Sequence, residues 1–272
     1  MQLSAYFDRI GFTGAARPDL ESLKRMHRAH TLTIPYENLD VQFGTPVDRS
    51  AGSAFDKIVT RRRGGWCYEM NALLSWALEQ TGFTIERLAG GVMREAMGDN
   101  AIGNHLVLIA QLDEPYLVDS GFGDGLIEPV ALREGAFQNG PLVCRLERID
   151  GGWWRYHNDP RSGGPSFDFH RDIRDEKLLE NRCQFLQTDP DSIFVQNAVV
   201  QRWGDDAHLC MRGRVFQRLS ASDKTTHIVN DADEYVQVLC DEFGLDLPNA
   251  ASLWPKICAR HEVVFADAAP SA

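Results

Sequence analysis

The sequence predicts an α+β fold with a helical N-terminal third, a β-rich middle and a mixed C-terminal part. Up to Gly82 apolar residues recur at helical spacing. Beyond it they gather into short runs bounded by Gly, Asp, Asn and Pro, the pattern of strands and turns. From Asp19 to Arg28, Leu20, Leu23 and Met26 recur at three-residue spacing, with Pro18 placed to start a helix. Residues 33–48 (TIPYENLDVQFGTPVD) hold two prolines and no sustained helical period, so they read as a loop or short extended piece. Met70, Leu73, Leu74, Ala77 and Leu78 mark one stripe of a further helix that Gly82 is placed to end. Strand candidates follow at residues 105–112 (HLVLIAQL) and 116–118, joined by Asp113-Glu114-Pro115, a linker short enough for an antiparallel hairpin. Residues 151–165, rich in Gly, Pro, Asp and Asn, read as a loop. Residues 232–243 form a last helix candidate, with Asn230 or Asp231 as N-cap and Gly244 just past its end.

Composition narrows the classes of function. At about 150 residues per domain, the chain makes roughly two domains, with three small ones possible. Its hydrophobic fraction of 43% and charged fraction of 25% fit a globular protein and exclude disorder or a disulfide scaffold. A net charge of −11 repels polyanions, so no nucleic-acid partner is expected. Arg61, Arg62 and Arg63 form the only dense basic cluster. The six cysteines (Cys67, Cys144, Cys183, Cys210, Cys240 and Cys258) lie far apart without a CxxC pair, so neither a zinc ribbon nor any other metal site is expected. The N-terminal residues MQLSAYFDRIGF lack a basic-then-apolar signal pattern, and no apolar run approaches the ~20 residues of a bilayer span. A cytoplasmic enzyme with reduced thiols and no membrane partner is the expectation.

The sharpest local feature is RRRGGWCYEMN at residues 61–71. Two glycines precede Cys67 and an amphipathic helix begins just after it. A thiol at a helix N-terminus meets unpaired N–H groups and the positive end of the dipole, both of which lower a thiol pKa. The glycines let a substrate or another backbone approach closely. A nucleophilic cysteine needs a base, and the base needs an orienting partner. His105 opens one strand candidate and Asp119 ends the next, so the open end of the predicted hairpin would bring them within reach. Ser120-Gly-Phe-Gly-Asp-Gly125 follows, a glycine turn that could cradle phosphate without being a dinucleotide fingerprint, since Pro129 follows and no helix opens.

The sequence resembles the arylamine N-acetyltransferases. The stretches that carry the likeness are YFDRIGF (6–12), IPYENLDV (34–41), RGGWC (63–67), HLVL (105–108), VDSGFG (118–123) and FLQTDPDSIF (185–194); the C-terminal part matches loosely. The resemblance implies three units: a helical bundle at 1–84, a β-barrel at 85–190 and an α/β lid at 191–272, around a papain-like or transglutaminase-like thiol-enzyme core. It implies Cys67 as nucleophile, His105 as base and Asp119 as orienter. It also implies Phe122 and Phe194 as lining of an aromatic acceptor pocket, and Arg63 holding the nucleophile loop by pairing with Glu37. For the co-substrate acetyl-CoA, the turn residues Gly121, Gly123 and Gly125 are the expected contacts.

The chemistry so implied is ping-pong acetyl transfer from acetyl-CoA to an arylamine or arylhydrazine, or to the oxygen of an N-hydroxyarylamine. Alternatives are an amide synthase of the same family fed by a carrier-bound acyl group, a papain-like cysteine hydrolase, and a non-catalytic binder. The partners expected are small molecules.

Overall fold

The computed structural model describes residues 1–204 and 206–265. In chain order, its N-terminal part comprises helices α1 (Leu3–Ile10) and α2 (Leu20–Thr33), a short strand β1 (Tyr36–Glu37), and helices α3 (Leu39–Phe43), α4 (Ala51–Phe55) and α5 (Cys67–Gln80). Strand β2 (Thr84–Val92), helix α6 (Arg94–Met97) and strands β3 (His105–Gln111), β4 (Pro115–Val118) and β5 (Val130–Ala131) follow. Next come β6 (Gly135–Asn139), β7 (Leu142–Arg148), β8 (Trp154–His157) and β9 (Ser166–Phe169). The C-terminal part holds α7 (Glu176–Thr188), α8 (Ile193–Gln196), β10 (Val199–Trp203), β11 (Ala207–Arg212), β12 (Val215–Ser220), β13 (Lys224–Ile228), α9 (Ala232–Asp241) and α10 (Trp254–Phe265).

The fold class is α+β. Strands β2 to β9 form one eight-stranded sheet in the order β5-β4-β3-β2-β9-β8-β7-β6, antiparallel at every pairing. β5 and β6 are its edges, so among the described residues the expected barrel is a curled half-barrel. A second sheet has the order β1-β10-β11-β12-β13. Its first strand comes from the N-terminal part: Tyr36 pairs with Gln201 and Glu37 with Val200.

Three elements differ from the sequence-based expectation. Residues 33–48 hold the short extended piece expected there, β1, and also a helix that was not, α3; the partner that makes Tyr36–Glu37 a strand lies in β10, far along the chain. Residues 151–165 contain β8, set between β7 and β9 with Tyr156 fully buried; sheet neighbours override the polar composition. Helix α2 runs on to Thr33 because its buried face is completed by polar side chains, His27, His30 and Thr31, which an apolar count misses. The caps behave as expected: Asp19 accepts from Ser22 N–H, Asp231 accepts from Glu234 N–H, and Gly244 takes a positive φ of 67°.

Two strands and one helix position the site. Along β3, Leu106, Leu108 and Ala110 pack into the core around α5, while Val107 and Ile109 pack into the core on the sheet's other face. A strand covered on both faces reads as one continuous apolar run, as HLVLIAQ does. Helix α5 is buried all round, with Glu69, Asn71 and Ser75 as inaccessible as Leu73 and Leu78. A helix of that kind belongs to the centre of the molecule.

Candidate active site

The loop 64–66 and the first turn of α5 fix Cys67. A Cβ at Gly64 would collide with the Pro35 carbonyl oxygen, and one at Gly65 would stand 2.9 Å from Glu69 Cβ. Glu37 N–H donates to the Gly65 carbonyl at 3.0 Å and Gly65 N–H to the Pro35 carbonyl at 3.2 Å. The glycines therefore admit the backbone of residues 35–37, which clamps the loop. Cys67 is the first residue of α5 and only 3% exposed. Burial pushes its thiol well above the ordinary value, and the backbone groups of Leu106 and Tyr68 oppose this without overcoming it. The expected acid shift of the thiol is thus reversed: in this pocket desolvation outweighs the helix terminus.

His105 and Asp119 meet at the open end of the β3–β4 hairpin. The register pairs Leu108 with Val118 and Gln111 with Pro115; continued outward, it puts His105 and Asp119 diagonally across from one another, within reach of long side chains. His105 Nε2 lies 2.6 Å from Asp119 Oδ2, with both residues buried. That contact occupies Nε2 and leaves Nδ1 as the nitrogen available to a thiol. The imidazole is gripped by Phe167 at 4.9 Å and Phe122 at 5.7 Å between ring centres.

Asn71 was not singled out from the sequence, yet it ties these pieces together. Its Nδ2 donates to Asp119 Oδ1 at 2.9 Å and to the Leu106 carbonyl at 2.6 Å. Its Oδ1 accepts from the N–H and hydroxyl of Ser120, both at 3.1 Å. Asp119 Oδ1 also accepts from Gly121 N–H at 2.8 Å. The signal was available: an amide four residues after Cys67 lies one turn further along the same helix face, inside the apolar run 70–74.

Beneath the loop lies a buried ionic cluster. Arg63 Nη2 donates to Glu37 Oε1 at 2.8 Å and to Asp40 Oδ1 at 3.0 Å. Lys57, 3% accessible in its side chain, reaches Glu69 at 2.9 Å, Asp40 at 3.0 Å and Glu37 at 3.7 Å. Burial alone would lower the Lys57 pKa, but the three carboxylates outweigh it and raise it. Burial pushes Glu69 up to about 7 against the pull of Lys57, with Glu37 adding to the rise. Glu69 Oε2 also accepts from Trp66 N–H at 3.3 Å, which connects the cluster to the residue before Cys67.

The two phenylalanines take separate places. Phe122 packs against His105, Tyr156 and Phe167, whereas Phe194 stands edge-on to Trp66 at 5.3 Å. The glycine turn expected to contact the co-substrate is closely packed against the protein on its Cα side. A Cβ at Gly121 would sit 2.8 Å from Asn71 Nδ2 and 2.9 Å from Cys67 Cα. One at Gly123 would strike Gln201, and one at Gly125 would sit 2.9 Å from Phe122 Cβ. These glycines allow close approach of protein to protein. The Gly125 carbonyl is already taken by Trp203 Nε1 and Asn139 Nδ2.

Among the described residues no group of three or more His, Cys, Asp or Glu is placed to hold a metal ion, and no helix is long and apolar enough to cross a membrane. A cavity of about 350 Å³ lies beside the turn, reaching it through Gln201 and Gly163.

A family model described as N-acetyltransferase matches residues 19–252. The chain is 36% identical to an arylamine N-acetyltransferase of Mycolicibacterium smegmatis over 92% of its own length and 94% of that protein's. The structure superposes on Mycobacterium marinum arylamine N-acetyltransferase with a TM-score of 0.86 and 33% identity, covering 94% of this chain and 98% of that one. Against the structure of the same enzyme in complex with CoA, the TM-score is 0.85 at 33% identity, covering 97% and 99%. With a buried thiol opening its central helix and a histidine–aspartate pair on the adjoining hairpin, the chain matches these proteins almost end to end, and it belongs to the arylamine N-acetyltransferase family.

Proposed function

We propose that the protein transfers an acetyl group from acetyl-CoA to the nitrogen of an arylamine or arylhydrazine, and to the oxygen of N-hydroxyarylamines, through a thioester on Cys67. The observation that carries this is the Asp119–His105 contact of 2.6 Å beside the first turn of the helix that Cys67 opens. His105 Nδ1 removes the thiol proton as the sulfur attacks the thioester carbonyl. Asp119 stabilises the imidazolium that forms, while Asn71 and Gly121 hold Asp119 in place. Because burial keeps the resting thiol protonated, proton transfer and attack are coupled. Collapse of the tetrahedral adduct expels CoA as its thiol, which takes the proton back from His105.

In the second half-reaction the amine nitrogen attacks the acetyl-Cys67 carbonyl, His105 accepts the amine proton, and Cys67 is released. An aromatic amine is uncharged at neutral pH, so its lone pair is free, and Phe122 beside His105 and Phe194 beside Trp66 are the rings proposed to receive it. Arg63 and Glu37 act as positioning residues for the loop. The setting proposed is the cytoplasm, in keeping with six free cysteines.

The test is the intact mass of the protein after incubation with acetyl-CoA alone, beside Cys67→Ala. One acetyl group, absent from the variant and lost on addition of an arylamine, is the expected result. No adduct on a folded protein with a titratable thiol overturns the proposal and favours a carrier-fed amide synthase or a hydrolase.

A further inference from the structure

Two histidines of α2, His27 and His30, are fully buried and play no part in the chemistry proposed above. His27 contacts the segment that presents Asp119. Its Nδ1 lies 3.0 Å from the Ile127 carbonyl, and the backbone of Asp119 faces the same ring. Asp119 and Ile127 are the two ends of the glycine turn. That turn carries Gly121, whose N–H donates to Asp119 Oδ1, and Phe122, which packs against His105. One imidazole thus stands at the neck of the turn that shapes the histidine–aspartate pair.

The turn depends on such contacts because it lies outside any strand: β4 stops at Val118 and β5 starts at Val130. Its last carbonyls are claimed by side chains. Trp203 and Asn139 donate to Gly125, Thr31 donates to Leu126 at 3.4 Å, and His27 serves Ile127. Thr31 follows His27 by one helical turn on the same face of α2, so this helix grips two consecutive carbonyls. The other end of the turn is tied to α5 through Asn71, which holds both Asp119 and Ser120.

The state of the ring follows from its surroundings. A carbonyl only accepts, so Nδ1 carries the proton. Burial lowers the His27 pKa against the pull of the Ile127 and Asp119 backbones and of the charges on Asp119 and Glu128. Its titratable neighbour on the same helix, His30, is lowered by burial as well, so both rings are uncharged at neutral pH. His27 Nε2 then bears no proton, and it has no hydrogen-bond partner among the described residues. The ring braces the turn through Nδ1 alone.

We propose that His27 is a positioning residue for acyl transfer: as the Nδ1–H tautomer it fixes the Ile127 end of the turn, and through the turn the placement of Asp119 and Phe122 against His105. The role rests on the reading of Cys67, His105 and Asp119 as the acylation machinery.

The experiment compares His27→Asn, His27→Gln and His27→Leu with the parent, following alkylation of Cys67 by iodoacetamide as a function of pH through the intact mass. The amide nitrogen of Asn stands about where Nδ1 does, and that of Gln about where Nε2 does. His27→Leu and His27→Gln should slow alkylation at neutral pH about tenfold, the worth of one hydrogen bond. They should also move the midpoint of the pH profile upward, because a loosened Asp119 stabilises the imidazolium less. His27→Asn should restore both readings. Thr31→Val, which removes the neighbouring tie while keeping the shape of the side chain, should shift both in the same direction as His27→Leu. A lower melting temperature with rate and midpoint unmoved leaves His27 a structural role alone and overturns the proposal, as does a His27→Gln protein indistinguishable from His27→Asn. A His105→Gln control separates this outcome from failure of the underlying reading. A control as fast as the parent removes the reading of the machinery, whereas a slowed control beside unchanged His27 variants removes only the role of His27. If His27→Leu melts early, the Asn and Gln variants, alike in chemistry and different in reach, decide the question.

Discussion

Gly121→Ala reports directly on how tightly the turn after Asp119 is pressed against α5. The added Cβ would lie 2.9 Å from Cys67 Cα and 2.8 Å from Asn71 Nδ2, where carbon–carbon contacts normally fall at about 3.5–4.0 Å. Cys67 Cα belongs to the helix backbone and Asn71 is held by four hydrogen bonds, so neither can swing aside. The turn and the first turn of α5 must separate by about 0.6–1 Å to reach a normal contact. Overpacking of that kind costs about 1–3 kcal/mol, a fall in melting temperature of roughly 2–10 °C. The effect on chemistry is larger, because the displacement lies between the thiol and the Asp119–His105 pair. Misplacement of reacting groups by about 1 Å lowers a rate about 100-fold. Single-turnover acetylation of Cys67 by acetyl-CoA, followed by quenched-flow mass spectrometry, measures that rate without involving the acceptor. A variant that acylates as fast as the parent and melts at the same temperature refutes the account of this turn as a packing device.

Three further outcomes follow from the same geometry. Lys57→Met leaves Glu37, Asp40 and Glu69 buried with one cation fewer, and should cost about 3–5 kcal/mol as a lower urea midpoint. Because the folded Glu69 pKa is raised from 4.5 to about 7, the folded state keeps a proton that the unfolded chain releases. Its contribution to stability therefore falls as pH rises through that window, by about 3 kcal/mol in all; Glu69→Gln should flatten the urea midpoint between about pH 5 and 8 relative to the parent. Phe194→Ala should raise KM for an arylamine about tenfold, the ~1.4 kcal/mol of one aromatic contact, while the rate of Cys67 acetylation by acetyl-CoA stays unchanged.

What the sequence disclosed follows the range of the interactions that built it. The helix after Cys67 and the hairpin joining His105 to Asp119 are local, specified by apolar period and a short linker, and both lie where the pattern put them. The Arg63–Glu37 contact came from the resemblance of the RGGWC and IPYENLDV stretches. Lys57 escaped notice because its partners, Glu37, Asp40 and Glu69, are scattered along the chain and a single lysine carries no mark of burial. Asn71 was hidden by its apolar neighbours. β1 was legible only as a short extended piece, because its pairing partner is in β10. The glycine turn is ambiguous for a chemical reason: glycine serves a phosphate and a close-packed backbone equally well, and only the atoms opposite decide which.

The pairing of Tyr36–Glu37 with Val200–Gln201, together with the Tyr36–Gly65 bridge, also sets an order of events during synthesis. Residue 200 leaves the ribosome long after residue 37, on the order of ten to thirty seconds later at about 5–20 residues per second. Throughout that interval the clamp on the glycine loop lacks its neighbouring strand. Cys183, Leu186 and Val199, which belong to the same core cluster as Cys67, are absent for most of it. A nascent thiol without that cover keeps an ordinary acidity and meets solvent freely. The thiol is thus most open to stray electrophiles and oxidants while the protein is being made, and emergence of the last third of the chain ends that exposure.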